Sequence, residues 1–201
     1  MITASEALER LRQGNQRFVA NAMESSSPLP DGTVPEQQPF AIILSCSDAR
    51  VPAEMIFDHG LGDLFVIRVA GNIVTPSQLG SIEFAAEKFG TRLVVVMGHS
   101  HCGAIAATLQ ELQQPKGVAS PNLASIIDQI RPAIEPLKAN PEGLDPAALQ
   151  QEAMRANVHA SVDQLHRGSA LLESLAQNDG LKIIGAAYSI ETGIVTFFPD
   201  A

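Results

Sequence analysis

Residues 40–50, FAIILSCSDAR, join a short apolar run to a cysteine, a carboxylate and a guanidinium. A continuous apolar run of this length is typical of a strand that is buried on both faces of a parallel sheet. Ligands of such sheets bind beyond the carboxyl ends of the strands. Cys46, Asp48 and Arg50 follow one of these ends, so the stretch predicts both a central strand and a place for chemistry.

The rest of the chain alternates apolar runs with helical patterns. Residues 121–177 are mostly helical in pattern. Three further buried strands are predicted, at DLFVIRVA (63–70), RLVVVMGH (92–99) and LKIIGAAYSI (181–190). The turn ETG then leads into IVTFF (194–198), which we expect to pair antiparallel. The pattern predicts an α/β fold with a mostly parallel central sheet of about four strands plus an antiparallel edge strand, flanked by helices.

The N-terminal region differs from this alternation. Leu8, Leu11 and Phe18 recur at helical spacing and predict an amphipathic arm helix over 3–22, which a polar, proline-rich stretch follows. We expect one domain over 1–201 with four parts: an N-terminal helical arm and loop (1–39), an α/β core that holds the candidate site (40–113), a helical region (114–176) and C-terminal strands (177–201).

The overall charge restricts the classes of partner. The chain carries a net charge of −9 over 201 residues, which disfavours a nucleic-acid partner and offers no polybasic anchor for a membrane. No apolar run reaches the roughly 20 residues that a spanning helix needs. The first residues lack the apolar centre of a signal peptide. We therefore expect a cytoplasmic protein, with a periplasmic protein whose leader has been removed as the alternative.

The chain has two cysteines, and both follow predicted strands. His99 and Cys102 are three residues apart across a strand-to-helix turn, so both can point at one metal ion, and Cys46 joins them if the two strands are neighbours. Two thiolates and one imidazole suit zinc, and three protein ligands leave a fourth position open, as in catalytic sites. A disulfide between the cysteines is the alternative.

Charged residues accompany this candidate metal site. The Asp48 carboxylate can accept a hydrogen bond from a water on the metal or occupy the fourth position itself, and Arg50 can orient it and keep its pKa low. His101 alternates with His99, so we expect it to point away from the metal, and a role as a proton relay is its alternative.

The motifs CSDAR (46–50) and GHSHCGA (98–104) together resemble those of the β-class carbonic anhydrases. That family has the pattern C-x-D-x-R, followed about fifty residues later by H-x-x-C. The similarity covers most of the chain except 114–176. Within CSDAR, Ala49 replaces the serine that is commoner in the family, and it should not touch the metal.

The resemblance implies an enzyme that reversibly hydrates CO₂ to bicarbonate and a proton by a zinc-bound hydroxide. It implies one Zn²⁺ per chain on Cys46, His99 and Cys102, with Asp48 and Arg50 as the catalytic pair. It also implies a homodimer or homotetramer and a substrate pocket that contains Gln37, Phe65 and Ala70.

One branch of this family binds bicarbonate at an allosteric site built from a Trp, an Arg and a Tyr. Arg68 and Tyr188 match the last two, but Ile43 stands where the Trp would be and the chain has no Trp. The resemblance therefore implies an incomplete allosteric site. On this basis we expect Asp48 to pair with Arg50 and leave the zinc open to water.

Three alternative functions stay open at this point. The same zinc could serve the hydrolysis of COS or CS₂, which are isosteric with CO₂. The chain could be a non-catalytic zinc- or bicarbonate-binding protein, although the missing Trp argues against bicarbonate sensing. It could also be a redox protein that uses a Cys46–Cys102 disulfide.

Overall fold

The computed structural model of the chain describes residues 36–57, 59–115, 117–118, 120–139 and 145–198. Contacts divide the chain into the units Met1–Glu36 and Gln37–Ala201, and the strands and helices given below belong to the second unit. The arm helix predicted over 3–22 lies outside the described residues.

A five-stranded sheet forms the centre of this unit. Its strands are β1 (Ala41–Ser45), β2 (Leu64–Arg68), β3 (Leu93–His99), β4 (Lys182–Tyr188) and β5 (Val195–Phe197). The order across the sheet is β2-β1-β3-β4-β5, in which β1 to β4 are parallel and β5 is antiparallel to β4. The predicted fold class is therefore confirmed, including the antiparallel edge strand.

The described residues form six α-helices around the sheet. They are α1 (Ala53–Ile56), α2 (Pro76–Lys88), α3 (Gly103–Gln113), α4 (Pro121–Ile134), α5 (Pro146–Gly168) and α6 (Ala170–Asn178). Prolines occupy the first turn of α2, α4 and α5, where their missing N–H costs nothing. Asp145 caps α5, because its carboxylate accepts hydrogen bonds from the N–H groups of Ala147 at 2.8 Å and Ala148 at 2.9 Å.

None of the described helices is both long and apolar enough to cross a membrane.

The apolar run of β1 is buried along its whole length. Ile42 and Leu44 belong to the larger hydrophobic cluster on one face of the sheet, and Ala41 and Ile43 belong to the smaller cluster on the opposite face. Successive residues of a strand point to opposite faces, so the apolar side chains of residues 41–44 supply both clusters, and Ser45, which is also buried, ends the strand. Burial on both faces also holds the register of β1 against its neighbours.

Helix α5 packs directly against the sheet at two strand glycines. A Cβ at Gly98 of β3 would lie 2.7 Å from Met154 Sδ and 2.7 Å from Val158 Cγ2. A Cβ at Gly185 of β4 would lie 2.8 Å from Val158 Cγ1. Because Gly98 and Gly185 have no Cβ, α5 can lie close to β3 and β4, the strands that lead to the candidate site.

We expect Gly98→Ala to lower the free energy of unfolding by about 1–3 kcal/mol, because the added methyl overpacks the contact with α5. Gly80→Ala is the matched control, since a Cβ on Gly80 in α2 meets nothing within 4 Å and should stabilise the helix by about 0.4–1 kcal/mol. Urea unfolding of both variants measures the difference. A Gly98→Ala variant as stable as the parent protein would show that α5 does not depend on this close approach.

Candidate metal centre

The parallel pairing of β1 with β3 brings the predicted metal ligands together. The register pairs Ser45 with Met97, so Cys46 and His99 emerge at the same edge of the sheet. Cys102 follows three residues later, immediately before α3. The ligand atoms of Cys46, His99 and Cys102 lie within 4.8 Å of one another, and all three residues are buried. The fold thus brings two motifs that are distant in sequence together in one cluster of candidate metal ligands.

A tight turn separates His99 from Cys102. The N–H of Ser100 donates to the carbonyl of Tyr188 at 2.9 Å, which ties the start of the turn to the end of β4. His101 has a φ of 55°, in the left-handed region that residues with a Cβ seldom adopt. This conformation belongs to the turn that sets Cys102 beside His99.

The imidazole of His99 is oriented as a metal ligand would be. Its Nδ1 lies 2.8 Å from the carbonyl oxygen of Ser100, which can only accept, so Nδ1 carries the proton and Nε2 carries a lone pair. Nε2 is buried and has no hydrogen-bond partner among the described residues. A buried acceptor without a partner is costly, and a metal ion between it and the two thiols would satisfy it. The donor set therefore fits zinc.

The two thiols share a strongly perturbed environment. Both cysteines are free and buried. The hydrogen bond from Cys102 is the largest cause that holds the pKa of Cys46 below its usual range, and the N–H of Gly71 adds to it. The Gly71 N–H lies 3.4 Å from Cys46 Sγ. The bond to the Cys46 sulfur, together with burial, raises the pKa of Cys102. The shared hydrogen bond therefore makes Cys46 the more acidic thiol of the pair.

Asp48 is paired with Arg50, the orientation that the sequence analysis expects. The guanidinium donates from Nε to Oδ1 at 2.9 Å and from Nη2 to Oδ2 at 2.8 Å, and the Arg50 N–H adds a third bond to Oδ1 at 3.0 Å. This contact holds the pKa of Asp48 well below its usual range. Asp48 Oδ2 lies 4.0 Å from His99 Nε2, so an ionised carboxylate borders the cluster.

Arg68, predicted as part of an incomplete bicarbonate site, binds the main chain of the metal loop. Its Nε donates to the carbonyl of Cys46 at 3.1 Å and its Nη2 to the carbonyl of Asp48 at 2.7 Å. Tyr188 ends β4 opposite His99. Two strands, β1 and β3, separate the strand of Arg68 from that of Tyr188. In this arrangement the Arg68 guanidinium supports the loop that carries Cys46 and Asp48.

The three predicted pocket residues lie in different surroundings. Gln37 is exposed, and its Cα is 3.6 Å from where a Gly62 Cβ would lie. Phe65 packs in an aromatic group, with ring centroids 6.3 Å from Phe84 and 6.0 Å from Phe89. Ala70 lines a mostly apolar cavity of about 510 Å³ between α3 and α4. Ala70 immediately precedes Gly71, whose N–H lies 3.4 Å from Cys46 Sγ, so its main chain adjoins the cluster.

A row of polar side chains on α5 supports the loop after β2, and the sequence analysis missed it. Asn157 Nδ2 donates to the carbonyl of Gly71 at 2.8 Å, and Ser161 Oγ donates to the carbonyl of Asn72 at 3.1 Å. Gln164 Nε2 donates to the carbonyl of Val74 at 3.0 Å. These three residues recur at helical spacing on a face that also carries buried apolar residues, which is the signal that could have found them.

Comparisons with known proteins agree with this geometry. A family model described as carbonic anhydrase matches residues 41–195. Carbonic anhydrase 2 of Mycobacterium tuberculosis is 36% identical over 194 residues, which cover 93% of this chain and 89% of that protein. The crystal structure of the β-carbonic anhydrase CafA of Aspergillus fumigatus has a TM-score of 0.84 and 25% identity, and covers 98% of this chain and 92% of that chain.

A tetrameric β-carbonic anhydrase of Sordaria macrospora has the same fold. Its TM-score is 0.78 at 24% identity, over 96% of this chain and 97% of that chain.

We expect Asn157→Ala to weaken metal binding by about 10–100-fold, because Asn157 positions the residue whose N–H donates to Cys46. It should also cost about 1–3 kcal/mol of stability, since the buried Gly71 carbonyl loses its donor. Ser161→Ala is the matched control: it removes a similar bond one residue further on and should keep the metal affinity. Competition with a chromophoric chelator and urea unfolding measure the two effects. Equal metal affinity in both variants would contradict the assignment.

Proposed function

The chain belongs to the β-class carbonic anhydrases and is a carbonate dehydratase, and we propose that it reversibly hydrates CO₂ at one Zn²⁺ per chain held by Cys46, His99 and Cys102. The observation that carries this proposal is the buried Nε2 of His99, which lies beside two free thiols and has no partner in the part of the chain that the structure describes. A structural zinc site would use four protein ligands, whereas three ligands leave a position for the reacting water.

Zinc held there would act as a Lewis acid and lower the pKa of a bound water to about 7. That value comes from zinc enzymes that include the unrelated His₃-ligated carbonic anhydrases. The chain's own part is to position that ion and the water. His99 presents a fixed tautomer, because the Ser100 carbonyl holds its Nδ1 proton. Hydrogen bonds from the Cys102 thiol and from the Gly71 N–H lower the pKa of Cys46 and so favour its thiolate form.

Asp48 is proposed as the residue that orients the reacting water. Its carboxylate is ionised and borders the cluster, so it can accept a hydrogen bond and direct a water lone pair toward the carbon of CO₂. Arg50 holds both carboxylate oxygens and keeps Asp48 from turning to the metal. Arg68 fixes the main chain of the loop at the carbonyls of Cys46 and Asp48.

The proposed walls of the CO₂ pocket follow the family resemblance and are Gln37, Phe65 and Ala70.

A set of variants tests this assignment. His99→Ala and Cys46→Ala should lose both zinc and CO₂ hydration, because each removes a ligand. Asp48→Asn should keep zinc but lose about 10²-fold or more in kcat/KM, because the neutral amide is a weaker acceptor than the carboxylate and its NH₂ cannot accept from the Arg50 guanidinium. His166→Ala, a histidine near the end of α5, is the matched control and should keep both. Zinc content by atomic absorption and stopped-flow CO₂ hydration measure the two properties.

Two results would contradict the proposal. Normal hydration by a zinc-free His99→Ala variant would remove the metal from the reaction, and a zinc-loaded parent chain without turnover would favour a non-catalytic zinc protein. The same preparations assayed with COS and CS₂ test the alternative hydrolase, which requires turnover of these substrates in preference to CO₂.

We further propose that the chain acts as a homodimer or homotetramer. Among the described residues, several large hydrophobic side chains expose half of their surface or more: Phe40, Met55, Leu61, Phe84, Leu123, Ile194 and Phe197. Association surfaces are typically contiguous apolar patches, and we expect the oligomer contacts to use some of these side chains. The Sordaria macrospora relative is itself tetrameric. Sedimentation at micromolar concentration should show a dimer or tetramer, and a stable, fully active monomer would overturn this proposal.

A further inference from the structure

Glu191, in the turn between β4 and β5, binds the turn that separates His99 from Cys102. One carboxylate oxygen, Oε2, accepts from Ser100 Oγ at 2.6 Å and from Ser189 Oγ at 3.0 Å. The other oxygen, Oε1, lies 2.5 Å from His101 Nε2. Both residues between the two metal ligands are therefore attached to one side chain.

The carbonyls of these two residues contact the chemical groups of the site. The Ser100 carbonyl accepts from His99 Nδ1 at 2.8 Å and so orients the imidazole. The His101 carbonyl accepts from Arg50 Nη2 at 3.4 Å, and the same Nη2 donates to Asp48 Oδ2 at 2.8 Å. Any change in the path of the turn therefore moves both a metal ligand and the arginine that holds Asp48.

The turn needs an external support because His101 is strained. Its φ of 55° lies in the left-handed region, which a residue with a Cβ seldom adopts. Burial does not hold His101 in place, since its side chain is 60% exposed. The contact that the structure shows for the ring is the one with Glu191.

The carboxylate of Glu191 is charged throughout the working pH range. Hydrogen bonds from Ser100, its own main chain, Ser189 and His101 lower the pKa of Glu191 to about 2. Glu191 is itself 53% exposed, so its replacement removes little packing and should leave the fold intact. The contacts of Glu191 can therefore be tested without unfolding the chain.

We propose that Glu191 is a positioning residue that holds the 99–102 turn in the shape required by the metal ligands and by the Asp48–Arg50 pair. This role rests on the proposed function, because it concerns the same zinc site. Glu191 acts through the carbonyls of Ser100 and His101 and does not touch the reacting atoms. In the sequence it was only part of ETG, a turn between two strands.

The test compares Glu191→Ala and Glu191→Gln with the control Glu152→Ala, which removes an exposed carboxylate from α5. Zinc release from the loaded protein to a chelator should be about 10–100-fold faster in Glu191→Ala, as expected for loss of a residue that orients metal ligands. Glu191→Gln should be intermediate, because it keeps one acceptor oxygen. Glu152→Ala should match the parent chain, and thermal unfolding should be similar in all four proteins.

Cobalt-substituted protein gives a readout that a merely structural role would not change. The thiolate-to-cobalt and ligand-field absorption bands report ligand geometry, and they should differ between Glu191→Ala and Glu152→Ala. Unchanged zinc release and an unchanged cobalt spectrum in Glu191→Ala would overturn the positioning role and leave the carbonic anhydrase assignment intact. A parent chain that binds neither metal would overturn both.

A second variant tests whether Glu191 acts through His101. Glycine adopts a positive φ without strain, so His101→Gly removes both the strain and the ring that Glu191 holds. In that background, Glu191→Ala should accelerate zinc release far less than it does in the parent chain, which is a coupling in a double-mutant cycle. An undiminished effect would show that Glu191 does not work through the His101 turn.

Discussion

The parallel pairing of β1 with β3 is the constraint on which the rest of the site depends. Ser45 lies opposite Met97, so the residues that follow β1 and those that end β3 emerge at one edge of the sheet. A slip of one residue would turn every side chain of β1 to the other face and would take Cys46 away from His99. Burial of β1 on both faces opposes that slip, because side chains of different size would then enter two clusters that are packed around the native ones. The metal site is thus a consequence of strand packing.

Helix α5 extends this dependence to the far side of the core. The glycines at 98 and 185 let it lie close against β3 and β4, and the same closeness carries Asn157 to the main chain at Gly71. Gly71 then donates to Cys46 Sγ. The Asn157 side chain therefore links the packing of α5 to the surroundings of the Cys46 sulfur.

Sequence patterns predicted the features that depend on residue type and period. The apolar runs identified β1, β3 and β4, and the cysteines after two strands indicated a metal cluster. Patterns failed where a side chain binds a main-chain group that is distant in sequence. Asn157 binds a carbonyl 86 residues away, and Arg68 binds two carbonyls of the metal loop. Every residue has a main-chain carbonyl, so the sequence does not show which one a side chain will bind.

The orientation of Asp48 depends on several weak contacts. Arg50 has a 53% exposed side chain, so solvent screens its pairing with the carboxylate and that pairing alone is a weak constraint. The Arg50 N–H and the His101 carbonyl add geometric restraint, and Arg68 fixes the Asp48 carbonyl from the opposite side. Two of these contacts end on main chain next to a metal ligand, the carbonyl of His101 beside Cys102 and the carbonyl of Asp48 two residues after Cys46. The path of these two loops therefore influences how Arg50 meets the Asp48 carboxylate, which links the orientation of Asp48 to the metal ligands.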